Sequence, residues 1–230
     1  MDDLQAEFDT LKAAHDKLKR RAERNERAQF ARGLMQGILS MLRPGDVVFD
    51  CGANVGAVTG PLAETGATVH AFEPDPFAFE QLSRRVQGMD NVILHNAAVG
   101  VAAGSVRLMR AANFADNPMG GSVKSTVIAG GRNIDERDDA TISVQMIALP
   151  DLIRATAATA GEVAFLKMDI EGAELDLLEH MQAEGLFDLV RLTVAETHEN
   201  KFRDLRPRFA ALRDAVAAEH PVTRVNLDWI

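Results

Sequence analysis

The chain has 230 residues, 47% of them hydrophobic, which is enough to bury a full core in one domain with some additional structure. Its formal net charge of -9 offers no general basic footprint for a phosphate backbone, so nucleic acid is not the expected partner. The opening Met1-Asp2-Asp3 lacks the basic start and apolar run of a secretory signal, and no stretch approaches the roughly 18 apolar residues of a membrane span; a cytoplasmic location is expected. The single cysteine, Cys51, excludes an internal disulfide and a cysteine-based zinc site.

Residues 2 to about 30 contain neither Pro nor Gly and are rich in Lys, Arg, Glu and Ala, which predicts a long exposed helix within an extension over 1–40. Leu4, Phe8, Leu11, His15, Leu18, Ala22 and Asn25 alternate at spacings of four and three, an a/d heptad seam able to form a homodimer. The alternative is that the same stripe packs on its own domain.

After Pro44-Gly45 a domain over 41–230 begins with a strand at Val47–Cys51, a Gly-rich turn through Gly56, a helix to about Glu64 and a strand at Thr68–Phe72. This alternation predicts a mostly parallel central sheet with helices on both faces, an α/β Rossmann-like fold. A helix over about Pro76–Gln87 leads to a third strand at Val92–His95, then a hairpin of Ser105–Met109 with Thr141–Ile147. The polar, Gly-rich insertion between the hairpin arms, 111–140, has the length of a functional loop. Asn113, Ser122, Lys124, Ser125 and Arg132 make it a candidate lid or acceptor-recognition surface. The rest reads as a helix near Asp151, strand Val163–Met168, helix Ala173–Glu184, strand Leu189–Ala195, helix from about Pro207 to Glu219 and a last strand near Val222–Leu227.

The turn after the first strand places Asp50, Gly52, Asn54 and Gly56 at every second position, with Val55 between the last two. Glycine lets backbone approach a ligand closely, and Asn tolerates left-handed conformations. The turn does not spell Gly-x-Gly-x-x-Gly, which disfavours a nicotinamide-dependent oxidoreductase. An acid opening the turn suits a cationic amino acid moiety, such as the methionine part of S-adenosylmethionine. Glu73, at the end of the second strand and followed by Pro74, stands where an acidic side chain meets ribose hydroxyls in doubly wound folds. Asn96-Ala97, after the third strand, can border an adenine.

With Lys167-Met-Asp-Ile-Glu-Gly-Ala-Glu174 added to these segments and to Asn96-Ala-Ala-Val99, the chain resembles the FkbM family of methyltransferases from about Val47 to about His198. The resemblance implies a class I methyltransferase fold, S-adenosyl-L-methionine as methyl donor and oxygen on a small molecule or glycan as acceptor. By position it places Asp50, Gly52, Asn54 and Gly56 around the methionine portion, Glu73 on the ribose, and Asn96 and Ala97 at the adenine. That fold usually ends in a strand hairpin, whereas a single strand follows the last helix here.

Asp169 and Glu171 follow the fourth parallel strand, and Glu196 and His198 the fifth, at the strand ends where open α/β sheets bind ligands. Asp169 either holds the methionine amino group or faces the acceptor. Glu171 is a candidate catalytic carboxylate or a first-turn helix acid, and His198 a candidate general base. Asp169, Glu196 and His198 together also suit Mg²⁺ or Mn²⁺. The non-enzymatic alternative is an S-adenosylmethionine-binding or inactive methyltransferase-fold interaction module tethered by the amino-terminal helix.

Overall fold

The computed structural model describes residues 2–229 except 132, 138 and 139, so Arg132 lies outside the described residues. The chain divides into two units, a helix ending at Met41 and a domain over Leu42–Trp229. Helix α1, Asp2–Met41, is one unbroken element that continues through Gly33 and Gly37, some ten residues beyond the sequence expectation. Neither glycine is at a positive φ, and each costs about 1 kcal/mol relative to Ala in a helix interior, too little to end a helix rich in Ala, Leu, Lys and Arg. No helix among the described residues is long and apolar enough to cross a membrane.

In the domain, strands β1 (Val47–Cys51), β2 (Thr68–Phe72) and β3 (Val92–His95) alternate with helices α2 (Thr59–Glu64) and α3 (Pro76–Arg85). The chain resumes the same sheet after a long excursion, with β9 (Phe165–Met168), α6 (Glu174–Ala183), β10 (Thr193–Ala195), α7 (Arg206–Glu219) and β11 (Val225–Asn226). The strand order is β3-β2-β1-β9-β10-β11, with all neighbours parallel. Among the described residues one strand follows α7, and it is two residues long. The strand expected from Leu189 begins only at Thr193, because Leu186–Leu189 wind into a 3₁₀ turn first.

Chain order runs outward in both directions from the β1/β9 pair, so the crevice at their carboxyl ends is the topological switch point where such sheets take ligands. The core beneath it is apolar and tight: Phe49, Phe165, Leu166, Met168, Leu177, Leu178 and Phe187 are each at most 1% exposed.

The excursion builds a second sheet, in the order β4-β8-β5, from β4 (Ala97–Gly100), β5 (Gly104–Leu108) and β8 (Ile142–Ala148), followed by α5 (Leu149–Ala160). The expected hairpin is present as the antiparallel β5/β8 pair, and β4 adds to β8 in parallel. The 111–140 insertion is not one open loop. It carries the pair β6 (Arg110–Ala111) and β7 (Ile134–Asp135), a helix α4 (Pro118–Ser122), and a bridge between Met109 and Thr126.

One close approach shapes the crevice. Gly52 has φ +80°, and a Cβ there would lie 1.8 Å from the Asp169 carbonyl oxygen. Gly88 shares the positive φ, at +85°, but a Cβ there meets nothing within 4 Å. Gly88→Ala is therefore expected to cost about 1 kcal/mol for backbone conformation alone, and Gly52→Ala at least about 2 kcal/mol more because backbone must shift. Urea midpoints of the two variants check this; equal losses would contradict the close approach.

Candidate functional site

A cleft opens at the carboxyl ends of β1, β2 and β9. Its walls are Gly52 and Asn54 of the β1–α2 turn, Phe72, Glu73 and Pro74 at the end of β2, Ala97–Val99 of β4, and Asp169, Ile170 and Glu171 after β9. Ser122, Val123, Ser125, Thr126 and Val127 complete it from the insertion. The insertion thus forms part of the same cleft as Gly52, Glu73 and Ala97. A second cleft, lined by Lys124, Asn133, Asn200, Lys201 and Phe202 among others, shares Thr126 and Glu171 with the first.

The structure brings Gly52, Asn54, Glu73, Pro74, Ala97, Asp169 and Glu171 together around the first cleft and leaves four of the expected cofactor-binding residues out of its wall. Asp50 departs from expectation most. It is fully buried, its Oδ2 accepts a hydrogen bond from the Thr59 hydroxyl at 2.7 Å, and its Oδ1 lies 3.4 Å from Lys167 Nζ. Parallel register puts Asp50 opposite Lys167 on β9, so the two side chains meet on one face of the sheet. Val55 does not border the cleft. Gly56, at φ +80°, makes room for Leu82 and Arg85 of α3. The Asn96 amide donates to the carbonyl oxygen of Glu73 at 2.8 Å, so it fixes the β2–α3 turn where an adenine contact was expected.

Lys167 is the residue that the spacing argument did not assign. Its ammonium is buried, donates to the Gly52 carbonyl at 2.7 Å, and stands 3.6 Å from Asp169 Oδ2. Burial works against its charge, but the carboxylates of Asp50 and Asp169 outweigh that and push its pKa up. A lysine in an otherwise apolar strand was the available signal, since lysine is almost never fully buried without a partner.

Glu73 ties two turns together. Its carboxylate accepts from the backbone N–H of Asn54 and of Asp75, each at 2.8 Å. Burial pushes its pKa up to about 7 against those two hydrogen bonds. Asn54 itself has φ 47°, and its Oδ1 is buried at the cleft without a hydrogen-bond partner.

The second group of expected residues also converges. His198 Nε2 lies 3.8 Å from Asp169 Oδ1, 3.5 Å from Glu171 Oε2 and 3.8 Å from Glu196 Oε1. The His198 ring is 5% exposed, and its Nδ1 stands 3.0 Å from Oε1 of the fully buried Glu174. Glu174 also accepts the backbone N–H of His198 and of Gly172. Burial lowers the His198 pKa, but Glu174 and then Glu171 reverse this to a net rise. Burial raises both Glu171 and Glu196, with the charge of Asp169 adding to the effect in Glu196. Glu171 is also ion-paired with Lys201.

A parallel sheet with this strand order and a cleft at its switch point, acidic at the ends of β2 and β9, is the architecture of a class I methyltransferase domain. Comparison with known proteins agrees. Residues 50–220 match the family model described as the methyltransferase FkbM domain. The chain is 30% identical to 31-O-demethyl-FK506 methyltransferase FkbM of Streptomyces tacrolimicus over 182 residues, 69% of this chain and 67% of that protein. It is 27% identical to methyltransferase sdnD of Sordaria araneosa over 208 residues, 79% of this chain and 76% of that one. The crystal structure of a methyltransferase FkbM from Methylobacillus flagellatus is similar at 18% identity and a TM-score of 0.42, over 76% of this chain and 40% of that longer one. The chain belongs to the FkbM methyltransferase family.

The Glu73 environment has a measurable consequence. Between the ordinary Glu pKa of about 4.3 and about 7, the unfolded chain gives up the Glu73 proton while the folded chain keeps it. Folding stability therefore falls as pH rises through that window, by on the order of 3 kcal/mol from this group. Glu73→Gln has no such proton to lose, so its urea midpoint is expected to drop less than the wild type's between pH 5 and pH 8. An equal drop would place the raised titration elsewhere.

Proposed function

We propose that the chain transfers a methyl group from S-adenosylmethionine to a hydroxyl of a small-molecule or glycan acceptor. The observation that carries this reading is a single cleft with Glu73, Asp169 and Asn54 on its wall. These acceptors suit ribose hydroxyls on one side and an ammonium group on the other, while Phe72, Ala98, Val99, Leu108 and Val127 offer apolar surface for an adenine. Phosphate would find no counter-charge there. The Streptomyces relative, by its name, acts on a 31-O-demethyl compound, which supports oxygen as the accepting atom.

S-adenosylmethionine supplies an activated methyl group on a sulfonium, so the protein's work is to align acceptor oxygen, carbon and sulfur and to take up the hydroxyl proton. Glu73 holds the ribose, and Asn54 with Asp169 holds the amino group, in this reading. The cluster of Asp169, Glu171, Glu196 and His198 borders the place where the acceptor hydroxyl arrives, and the proton passes into it. The second cleft, which shares Thr126 and Glu171 with the first, is the acceptor's entry in this reading. Because the insertion also walls the first cleft, trimming 111–140 should weaken cofactor binding along with acceptor turnover.

Calorimetry with S-adenosylhomocysteine tests the cofactor assignment. Wild type is expected to bind, and Glu73→Gln and Asp169→Asn to weaken binding by roughly 10- to 150-fold each, the loss of a charged hydrogen bond of about 1.5 to 3 kcal/mol. A folded wild type that fails to bind would overturn the proposal.

We also infer that α1 pairs with α1 of a second copy. Leu4, Phe8, Leu11 and Leu18 of the heptad seam are each more than half exposed, and the helix is long enough for several heptads. Light scattering should give about twice the 25.0 kDa chain mass. The double variant Leu11→Glu, Leu18→Glu should halve it, and a monomeric wild type would end the idea.

A further inference from the structure

We propose that Asp169, Glu196 and His198 form a binding site for one divalent cation of the Mn²⁺ or Mg²⁺ class at the carboxyl ends of β9 and β10. One oxygen of each carboxylate and one nitrogen of His198 all lie within 4.8 Å of one another. The 3.8 Å from Nε2 to Asp169 and to Glu196 is too long for an N–H···O hydrogen bond, which spans about 2.7 to 3.2 Å. It is the spacing of ligands around a common ion: donors about 2.0 to 2.3 Å from one metal and 90° to 120° apart stand roughly 3 to 4 Å from each other.

A second observation points the same way. The His198 ring is buried, and its Nδ1 meets Glu174, whose carboxylate is held in place by the backbone N–H groups of Gly172 and His198. With Glu174 at Nδ1, the ring is held so that Nε2 faces Asp169 and Glu196 at 3.8 Å and Glu171 at 3.5 Å. A cation bound there takes the place of a proton on Nε2, so its binding competes with protonation of the ring. The arrangement is the carboxylate–imidazole–metal relay that orients metal-binding histidines. Glu171 is kept out of the ligand set by its ion pair with Lys201.

Asp169 borders the cleft, so a cation here would face the acceptor side of it and act as a Lewis acid toward a hydroxyl, lowering the cost of removing its proton. This role rests on the methyltransferase reading, whereas the binding itself does not. Chelator-treated protein is therefore titrated with MnCl₂ alone, with free Mn²⁺ followed by electron paramagnetic resonance and no nucleoside present.

One Mn²⁺ per chain is expected for wild type. Glu196→Gln and His198→Ala should each weaken it at least tenfold with the circular dichroism spectrum unchanged, and Glu174→Gln should weaken it less because it only positions the imidazole. Folded wild type that binds no Mn²⁺ at millimolar concentration overturns the site, as does binding that survives both ligand substitutions. S-adenosylhomocysteine binding to the same protein in EDTA reads the cofactor assignment independently, so the failure of either idea shows by itself.

Discussion

The buried ammonium of Lys167 is the contact on which the cleft depends. It reaches Asp50 on β1, the Gly52 carbonyl in the first turn and Asp169 after β9, so one charge fixes three chain segments at the switch point. A buried ion needs such company. Removing one partner of a buried pair costs about 3 to 5 kcal/mol because the other charge is left uncompensated, a much larger sum than the pair gains over an apolar substitute. The arrangement is therefore better understood as a device for holding Gly52 and Asp169 in register than as a source of stability. Thr59 satisfies the remaining oxygen of Asp50 and so couples α2 to the same point.

The insertion is fastened to this frame at two places. Asp75 is fully buried, caps α3 through Phe77 N–H, and receives Nε and Nη2 of Arg110 at 2.9 Å each together with the Ser125 hydroxyl at 3.0 Å. At the other end, the Phe202 ring occupies the space that a side chain at Gly172 would need and lies 3.5 Å from where a Cβ at Gly131 would stand. A bidentate pair is directional and an aromatic ring between two glycines is a shape match, so the two anchors position the segment Ser122–Val127 without a large apolar core of its own. The wall of the cleft is thus made by residues far apart in sequence.

Period and spacing made the parallel sheet, the β5/β8 hairpin and the motif order legible, because each is a local pattern of apolar runs and turn residues. What they could not show was direction. Asp50 and Glu73 both end strands in acidic positions, yet Asp50 turns toward Lys167 and Glu73 toward the cleft, a difference set by the neighbouring strand and not by the turn itself. Asn96 was similarly well placed in sequence and is taken up by the Glu73 carbonyl. Glu174 was visible in the family-like segment from Lys167 to Glu174, but its role depends on His198, 24 residues later. Asp75 and Arg110 lie 35 residues apart with no spacing rule to join them. The helix expected over residues 2 to about 30 runs on to Met41 through Gly33 and Gly37, whose helix-forming neighbours outweigh them.

Backbone strain and function coincide at the turn between β9 and α6. Glu171 has φ 57° and Gly172 φ 110°, and the left-handed conformation of a glutamate costs on the order of 1 to 2 kcal/mol. The surroundings hold it there: the Thr126 hydroxyl donates to the Glu171 carbonyl at 2.7 Å, Glu174 accepts the Gly172 N–H at 2.8 Å, and Phe202 closes on Gly172. A relaxed turn would not need three restraints from three different elements. The strained one brings the side chains of Asp169 and Glu171 to the same side as His198, and its restraints come from the insertion, from α6 and from the segment after β10. Thr126 and Glu171 both line the cleft, so the restraints that hold this turn also set the shape of its wall.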